Sequence, residues 1–292
     1  MSGELATDQG LDRATGPKPA PGSAPAPSLE LVARIEAHSV RAWPAEMVER
    51  TDDGWVLRAS PRLPGRGRSN HALTPARPLA RGEYEGALAR VEEFARQHGI
   101  ACGLQASPLD IHAPLVDELA ARGWEVHQPV LVLTADTEAV AADAGPGVHL
   151  QVTDTATPEW VAAWARCDQR SDVADHVQSV FPRMAGTARF ARFGDRATGI
   201  TVELDGIVGL FCVAVALDAR GQGLGKALVR AMLAQHEAPL TYLQAFSDNA
   251  AGQALYRSLG FHEEYRYCHC GAPSGDGGGV SVRAHAVIPA RV

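Results

Sequence analysis

Lysine is almost absent: only Lys18 and Lys226 occur among 292 residues, and arginine carries the rest of the positive charge. With abundant alanine and glycine this reads as the coding bias of a GC-rich genome and says nothing of chemistry. A basic excess is missing too. The net charge of -7 and the pI near 5.9 argue against phosphate-backbone binding, because nucleic-acid binders carry a basic face; no nucleic-acid partner is expected. No stretch approaches roughly 18 consecutive apolar residues, and Met1 to Ser28 has no apolar segment behind a basic start. No membrane association is expected. Cys102, Cys167, Cys212, Cys268 and Cys270 are odd in number and lie in apolar strings of a chain far longer than a disulfide scaffold. A reducing cytoplasm is the expected compartment.

What is present suggests two folded units, at roughly 100 to 200 residues per domain. Hydrophobic residues at 46% and charged residues at 21% are near ordinary globular usage, so each half can bury its own core. Gly16 to Ser28 is Pro/Ala-rich and reads with the preceding residues as a tail, 1–28. Residues 29–134 form a first domain and 135–147 a linker, poor in bulky hydrophobes and closing with Gly-Pro-Gly. A second domain spans 148–270, and 271–292 is a Gly-rich tail. The second half reads as strand 148–153, helix 158–167, a proline-interrupted helical stretch 175–185 and strands 187–193, 197–204 and 206–217. Helix 223–235, strand 240–246, helix 249–259 and strand 261–270 complete it. The expected class is α/β with a mixed sheet and helices on both faces.

The first half echoes this order. Matching Gly123 to Gly260 gives an offset of 260 − 123 = 137, which lays helix 84–98 on 221–235, strand 101–106 near 240–246 and helix 110–122 on 247–259. Two copies of one fold are the economical explanation.

A valine-rich strand carrying Val213, Ala214 and Val215 runs into Arg220, Gly221, Gln222, Gly223, Leu224, Gly225 and Lys226, which open a helix. The first N–H groups of a helix lack internal partners and carry partial positive charge, and glycines let backbone approach a pyrophosphate. A nucleotide P-loop would need glycine five residues before Gly225, where Arg220 stands, and a hydroxyl after Lys226, where Ala227 stands. A dinucleotide fingerprint would need G-x-G-x-x-G, whereas these glycines are spaced two apart.

The run resembles the R-x-x-G-x-G turn of the GNAT N-acetyltransferase superfamily, and Asn249-Ala-Ala-Gly-Gln-Ala-Leu-Tyr-Arg-Ser-Leu-Gly-Phe261 is similar to its N-x-x-A-x-x-L-Y-x-x-x-G-F segment, with Gly252 where alanine is usual. The layout resembles tandem-GNAT proteins. The resemblance implies two tandem GNAT-like domains and acetyl-CoA as cosubstrate. A primary amine of a small molecule, peptide or protein would be the acceptor, attacking the thioester directly. It implies that Asn249 starts the helix beside the cofactor arm, that Tyr256 is the general acid toward the thiolate, and that the strand parts from its neighbour after its valines, so that Val213, Ala214 and Val215 pair with pantetheine. The alternative from another class is a non-catalytic acyl-CoA-binding sensor or scaffold.

Under the same offset Arg220 corresponds to Glu83, Gln222 to Glu85, Gly225 to Leu88 and Tyr256 to Leu119. The first half is therefore expected to be degenerate and to bind no CoA. Gly65-Arg-Gly-Arg68 reads as a hairpin turn, Cys268-His-Cys270 lacks a second ligand pair so that no metal is expected, and Cys212 reads as packing. Asp168, Asp172, Asp175, His176 and Glu203 are candidate general bases, with spacing alone choosing none.

Overall fold

A computed structural model describes residues 28–142 and 149–273. Most of the expected N-terminal tail, residues 143–147 of the expected linker, and the Gly-rich end from Ser274 lie outside the described residues.

In chain order the elements are α1 (Leu29–Ala42), β1 (Met47–Arg50), β2 (Val56–Ala59), α2 (Gly67–Asn70), β3 (Ala72–Leu73), α3 (Tyr84–His98), β4 (Gly103–Ala106), α4 (Leu109–Ala121), β5 (Glu125–Val126) and β6 (Val130–Asp136). There follow α5 (Thr137–Ala141), β7 (Gln151–Thr153), α6 (Pro158–Asp168), α7 (Val173–Ser179), β8 (Thr187–Phe193), β9 (Ala197–Leu204), β10 (Ile207–Val215), α8 (Leu224–Leu233), β11 (Leu240–Phe246), α9 (Ala250–Ser258) and β12 (His262–Gly271). The expected mixed α/β architecture is present. Local chemistry explains many element ends. Thr157 caps α6 by accepting from Trp160 N–H, ahead of proline in the first turn, and Gly99 closes α3 in the left-handed conformation.

All strands join one mixed sheet in the order β1-β2-β3-β4-β12-β6-β11-β10-β9-β8-β7, with β5 also paired to β12. The two halves of the sequence interlock in it. Strand β6 lies on the N-terminal side of the expected boundary, yet it pairs antiparallel with β11 along its whole length, from Val130↔Phe246 to Asp136↔Leu240. Its other edge pairs with β12, whose far end, Cys268 to Gly271, pairs with β4. Each half thus completes the other's sheet. An all-apolar strand such as Val130-Leu-Val-Leu133 needs cover on both faces and a neighbour on each edge, and this position supplies them.

Residues 137–141, expected as linker, are α5, capped by Asp136, anchored by Val140 at 2% exposure and packed against α8. One core lies under α8 and α9, including Val213, Val215, Leu228, Val229 and Tyr256. The opposite face joins Val32 and Ile35 of α1 to Trp160 and Trp164 of α6 over Phe211 and Tyr242, so α1 also packs on the second half's strands. A third core, under α3 and α4, is built from first-half residues together with Cys268 and Cys270 of β12. No helix among the described residues is long and apolar enough to cross a membrane.

The expected hairpin turn, Gly65 to Arg68, does join an antiparallel pair, β2 and β3, but its second half runs into one helical turn, α2, over Gly67–Asn70. The reason is burial. Arg68, Ser69 and Asn70 are at most 6% exposed, and Asn70 bonds the backbone of Ser60 and Leu63, which holds the loop inward.

Candidate functional site

The site grows from one irregularity. Strands β10 and β11 pair in parallel only from Ile207↔Leu240 to Gly209↔Tyr242, after which they part. On the other edge of β10 the register with β9 shifts between Phe211↔Ile200 and Ala214↔Thr198, so Cys212 and Val213 together oppose Gly199. This is a β-bulge, and it adds local twist. Cys212 takes φ of +51°, a left-handed conformation uncommon for a residue with a side chain. The parting begins at Leu210, before Val213 rather than after the valines, and the bulge follows it at Cys212 and Val213.

Into this gap come Arg68, Leu210, Phe211, Cys212, Val213, Leu243, Gln244 and Tyr256. Tyr256 is fully buried on α9, its ring edge-on to Phe261 with centroids 5.7 Å apart. Its hydroxyl has no hydrogen-bond partner among the described residues, and burial pushes the phenol well above its ordinary pKa. Buried hydroxyls nearly always have partners, so this one marks a place where another group fits.

Beyond the end of β10, Gly221 and Gly223 take φ of +72° and +77°, conformations glycine enters at little cost. Gly223 is the residue before α8, whose first turn carries no acidic side chain. A Cβ at either glycine would meet nothing within 4 Å, so their backbone faces open space. The first N–H groups of α8 thus point outward as a cradle for an anion. Arg220 Nε donates to the Val215 carbonyl at 3.2 Å, tying the cradle to β10, and Arg196 from the β8–β9 turn donates to Gln222 Oε1 at 2.5 Å. Lys226 Nζ bonds the Ser258 carbonyl at the end of α9 at 3.3 Å. Asn249 is the cap of α9: its Oδ1 accepts from Gly252 N–H at 3.0 Å. A Cβ at 252 would stand 2.5 Å from Asn249 Nδ2, so alanine here would need the Asn249 side chain to shift.

The candidate bases divide. Asp168, Asp172 and His176 gather on the α6–α7 side, where Arg170 pairs with Asp168 at 3.4 Å and with Asp172 at 2.8 Å, and Arg66 of the first half joins Asp172. These arginines hold the Asp172 carboxyl well below its usual range against the opposing effect of burial. Burial first, then the nearby Arg170, lowers His176 to about 4. Asp175 lies on α7, and Glu203 lies apart, bonded to His236 at 2.7 Å. Burial raises the Cys212 thiol well above its ordinary value, in keeping with a packing role. Cys268 and Cys270 are buried with their sulfurs 3.9 Å apart. In the first half, Glu83 is bound by Arg77 and by Ala80 N–H, and Glu85 pairs with Arg122; both carboxylates of the corresponding turn are engaged.

Sequence reasoning missed Arg68, Phe211, Gln244 and Arg196. Only Arg68 lay in a run that stood out, and local spacing did not show that it reaches another half's strands.

A family model described as "Probable histone acetyltransferase Rv0428c C-terminal" matches residues 32–270. The chain belongs to this Rv0428c C-terminal family. Solved structures with the same architecture include a GCN5-related N-acetyltransferase from Kribbella flavida, at TM-score 0.63 and 17% identity over 86% of this chain and 98% of that one. A tandem GNAT protein from the clavulanic acid biosynthesis pathway aligns at TM-score 0.54 and 17% identity, over 85% and 94% of the two chains. At these identities the likeness establishes the GNAT fold. Membership in the Rv0428c C-terminal family indicates an acetyltransferase.

Proposed function

We propose that the protein transfers the acetyl group of acetyl-CoA to a primary amine on a small molecule, peptide or protein. The observation that carries this is the gap between β10 and β11 with the unpartnered Tyr256 hydroxyl lining it. Val213, Ala214 and Val215 present β10's free edge to an extended arm, as an added strand would be bound. Arg220, Gly221, Gln222, Gly223, Leu224, Gly225 and Lys226 offer backbone N–H groups and positive charge to a pyrophosphate, with Asn249 flanking. Acetyl-CoA supplies an activated carbonyl with a thiolate leaving group.

The amine nitrogen bonds to the carbonyl carbon, the C–S bond breaks, and Tyr256 donates its proton to the departing sulfur; the ammonium loses a proton to solvent, and the phenolate regains one. Backbone N–H of the strand carrying Val213 to Val215 would donate to the carbonyl oxygen as it gains charge. An ordinary thiol near 8.5 and phenol near 10 are close in acidity. Burial raises the phenol in the free protein, which keeps it protonated at neutral pH but weakens it as an acid; a partner for the hydroxyl in the bound complex would bring it back toward the thiol. The first half, with Glu83, Glu85 and Leu119 at the corresponding places, is a degenerate repeat that binds no CoA.

The test is thiol release from acetyl-CoA against a panel of amino acids, polyamines, aminoglycosides and peptides. Amine-dependent release supports the reading. Acetyl-CoA binding with no release across the panel would favour a sensor or scaffold.

A further inference from the structure

Arg68 enters the gap from α2, in the other half of the sequence, and is 6% exposed. A guanidinium has five N–H donors and matches a carboxylate with two of them. Here, among the described residues, one hydrogen bond is made, from Nη2 to Ser39 Oγ at 2.8 Å, and the charge lies 5.1 Å from the centre of the Phe211 ring. No carboxylate of the described residues comes within ion-pair distance of it.

The charges around it do not balance. The neighbouring buried network holds Arg58 and one carboxylate, Glu36, which accepts from Ser107 at 2.5 Å and from Tyr265 at 3.0 Å. The histidines nearby are neutral: burial lowers His38 to about 4 and His71 to about 3. The charges on the α6–α7 side, Arg66 and Arg170 against Asp168 and Asp172, cancel among themselves. Two arginines against one glutamate leave one positive charge in excess, and it lies at the wall of the gap. Holding such a charge largely out of water without an anionic partner is costly, and a ligand anion would offset the cost. The space it closes has room for about one water molecule in the free protein, so a carboxylate enters only if the lining side chains move.

Resting on the reading of this gap as the acyl site, we propose that Arg68 receives a carboxylate there, carried by the transferred acyl group or by the amine acceptor. The first half would then contribute to substrate choice without binding CoA itself.

The test titrates the full chain by calorimetry with acetyl-CoA, succinyl-CoA and butyryl-CoA, the last matching the length of the dicarboxylic chain without its charge. It also compares acetyl transfer to amino acids with transfer to their amides. A charge-assisted bidentate contact should favour the carboxylate form by about tenfold or more. Preference for succinyl-CoA over butyryl-CoA, lost in Arg68→Met, assigns the carboxylate to the acyl group. Preference for amino acids over amides, lost in the same variant, assigns it to the acceptor. Should Arg68→Met fail to fold, Arg68→Lys, which keeps charge but not the fork, serves instead, and the wild-type ratios need no variant. Binding of acetyl-CoA with neither preference overturns the carboxylate assignment alone. Absence of binding by every thioester overturns the acyltransferase reading along with it.

Discussion

Replacing Tyr256 with phenylalanine removes one oxygen from a fully buried side chain, and that oxygen makes no hydrogen bond to any of the described residues. Two accounts of the residue give different results. As a core aromatic, the hydroxyl is a liability, since an unsatisfied buried polar group costs about 1–3 kcal/mol; its removal should leave stability unchanged or raise it by up to about 1 kcal/mol, or roughly 2–4 °C in Tm. As a proton donor to the leaving sulfur, the same oxygen is worth part of the roughly 10²–10⁴-fold that positioned acid catalysis supplies. The proposal therefore expects kcat to fall at least about tenfold, near 1.4 kcal/mol in barrier height, with acetyl-CoA affinity within about twofold of wild type and Tm equal or higher. The assay is thiol release with the best amine of the panel, paired with thermal unfolding and calorimetry on the same preparations. An unchanged kcat would remove the tyrosine from the mechanism. A fall in kcat accompanied by a fall in Tm would show a packing defect instead.

Gly223→Glu forces a side chain onto a residue with φ of +77° and sets a carboxylate at the cradle; acetyl-CoA affinity should drop beyond about a hundredfold by calorimetry, whereas Glu83→Ala should leave it intact. Arg66→Ala removes a cross-half ion pair to a half-buried Asp172, and with Arg170 still present the cost should be about 1–2 kcal/mol in chemical unfolding; no change would show that the pair is idle. For pH, His38 and His176 titrate near 4 in the fold against about 6.5 unfolded. The unfolded chain therefore binds more protons between those values, and stability should decline as pH falls from about 6.5 to 4, by roughly 3 kcal/mol per ring as an upper bound. A Tm constant across that window would contradict the burial of these rings.

Much of the fold was legible because it is written locally. The strands 187–193, 197–204 and 240–246 and the helix 84–98 fall where alternation, valine-rich runs and the glycine stop place them. What escaped depends on partners far along the chain. Val130 to Val132 is an apolar run that fits any buried strand, and nothing within it says that its neighbours are β11 and β12. The amphipathic α1 shows which stripe it buries and not which half receives it. The bulge was illegible for another reason: Cys212 is a non-glycine residue at positive φ, without the residue type that announces such a turn. At the candidate site the glycine cradle and Tyr256 carried a motif, while Arg68 carried only its charge, and its meaning came from the strands it meets.

The central claim is a single working acyl-CoA site, in the second half of the chain, and calorimetric titration of acetyl-CoA into the purified protein tests it most directly. The account predicts one site per chain at micromolar affinity. Two sites would contradict the degenerate first half, and none would contradict the acetyl-CoA-dependent function itself.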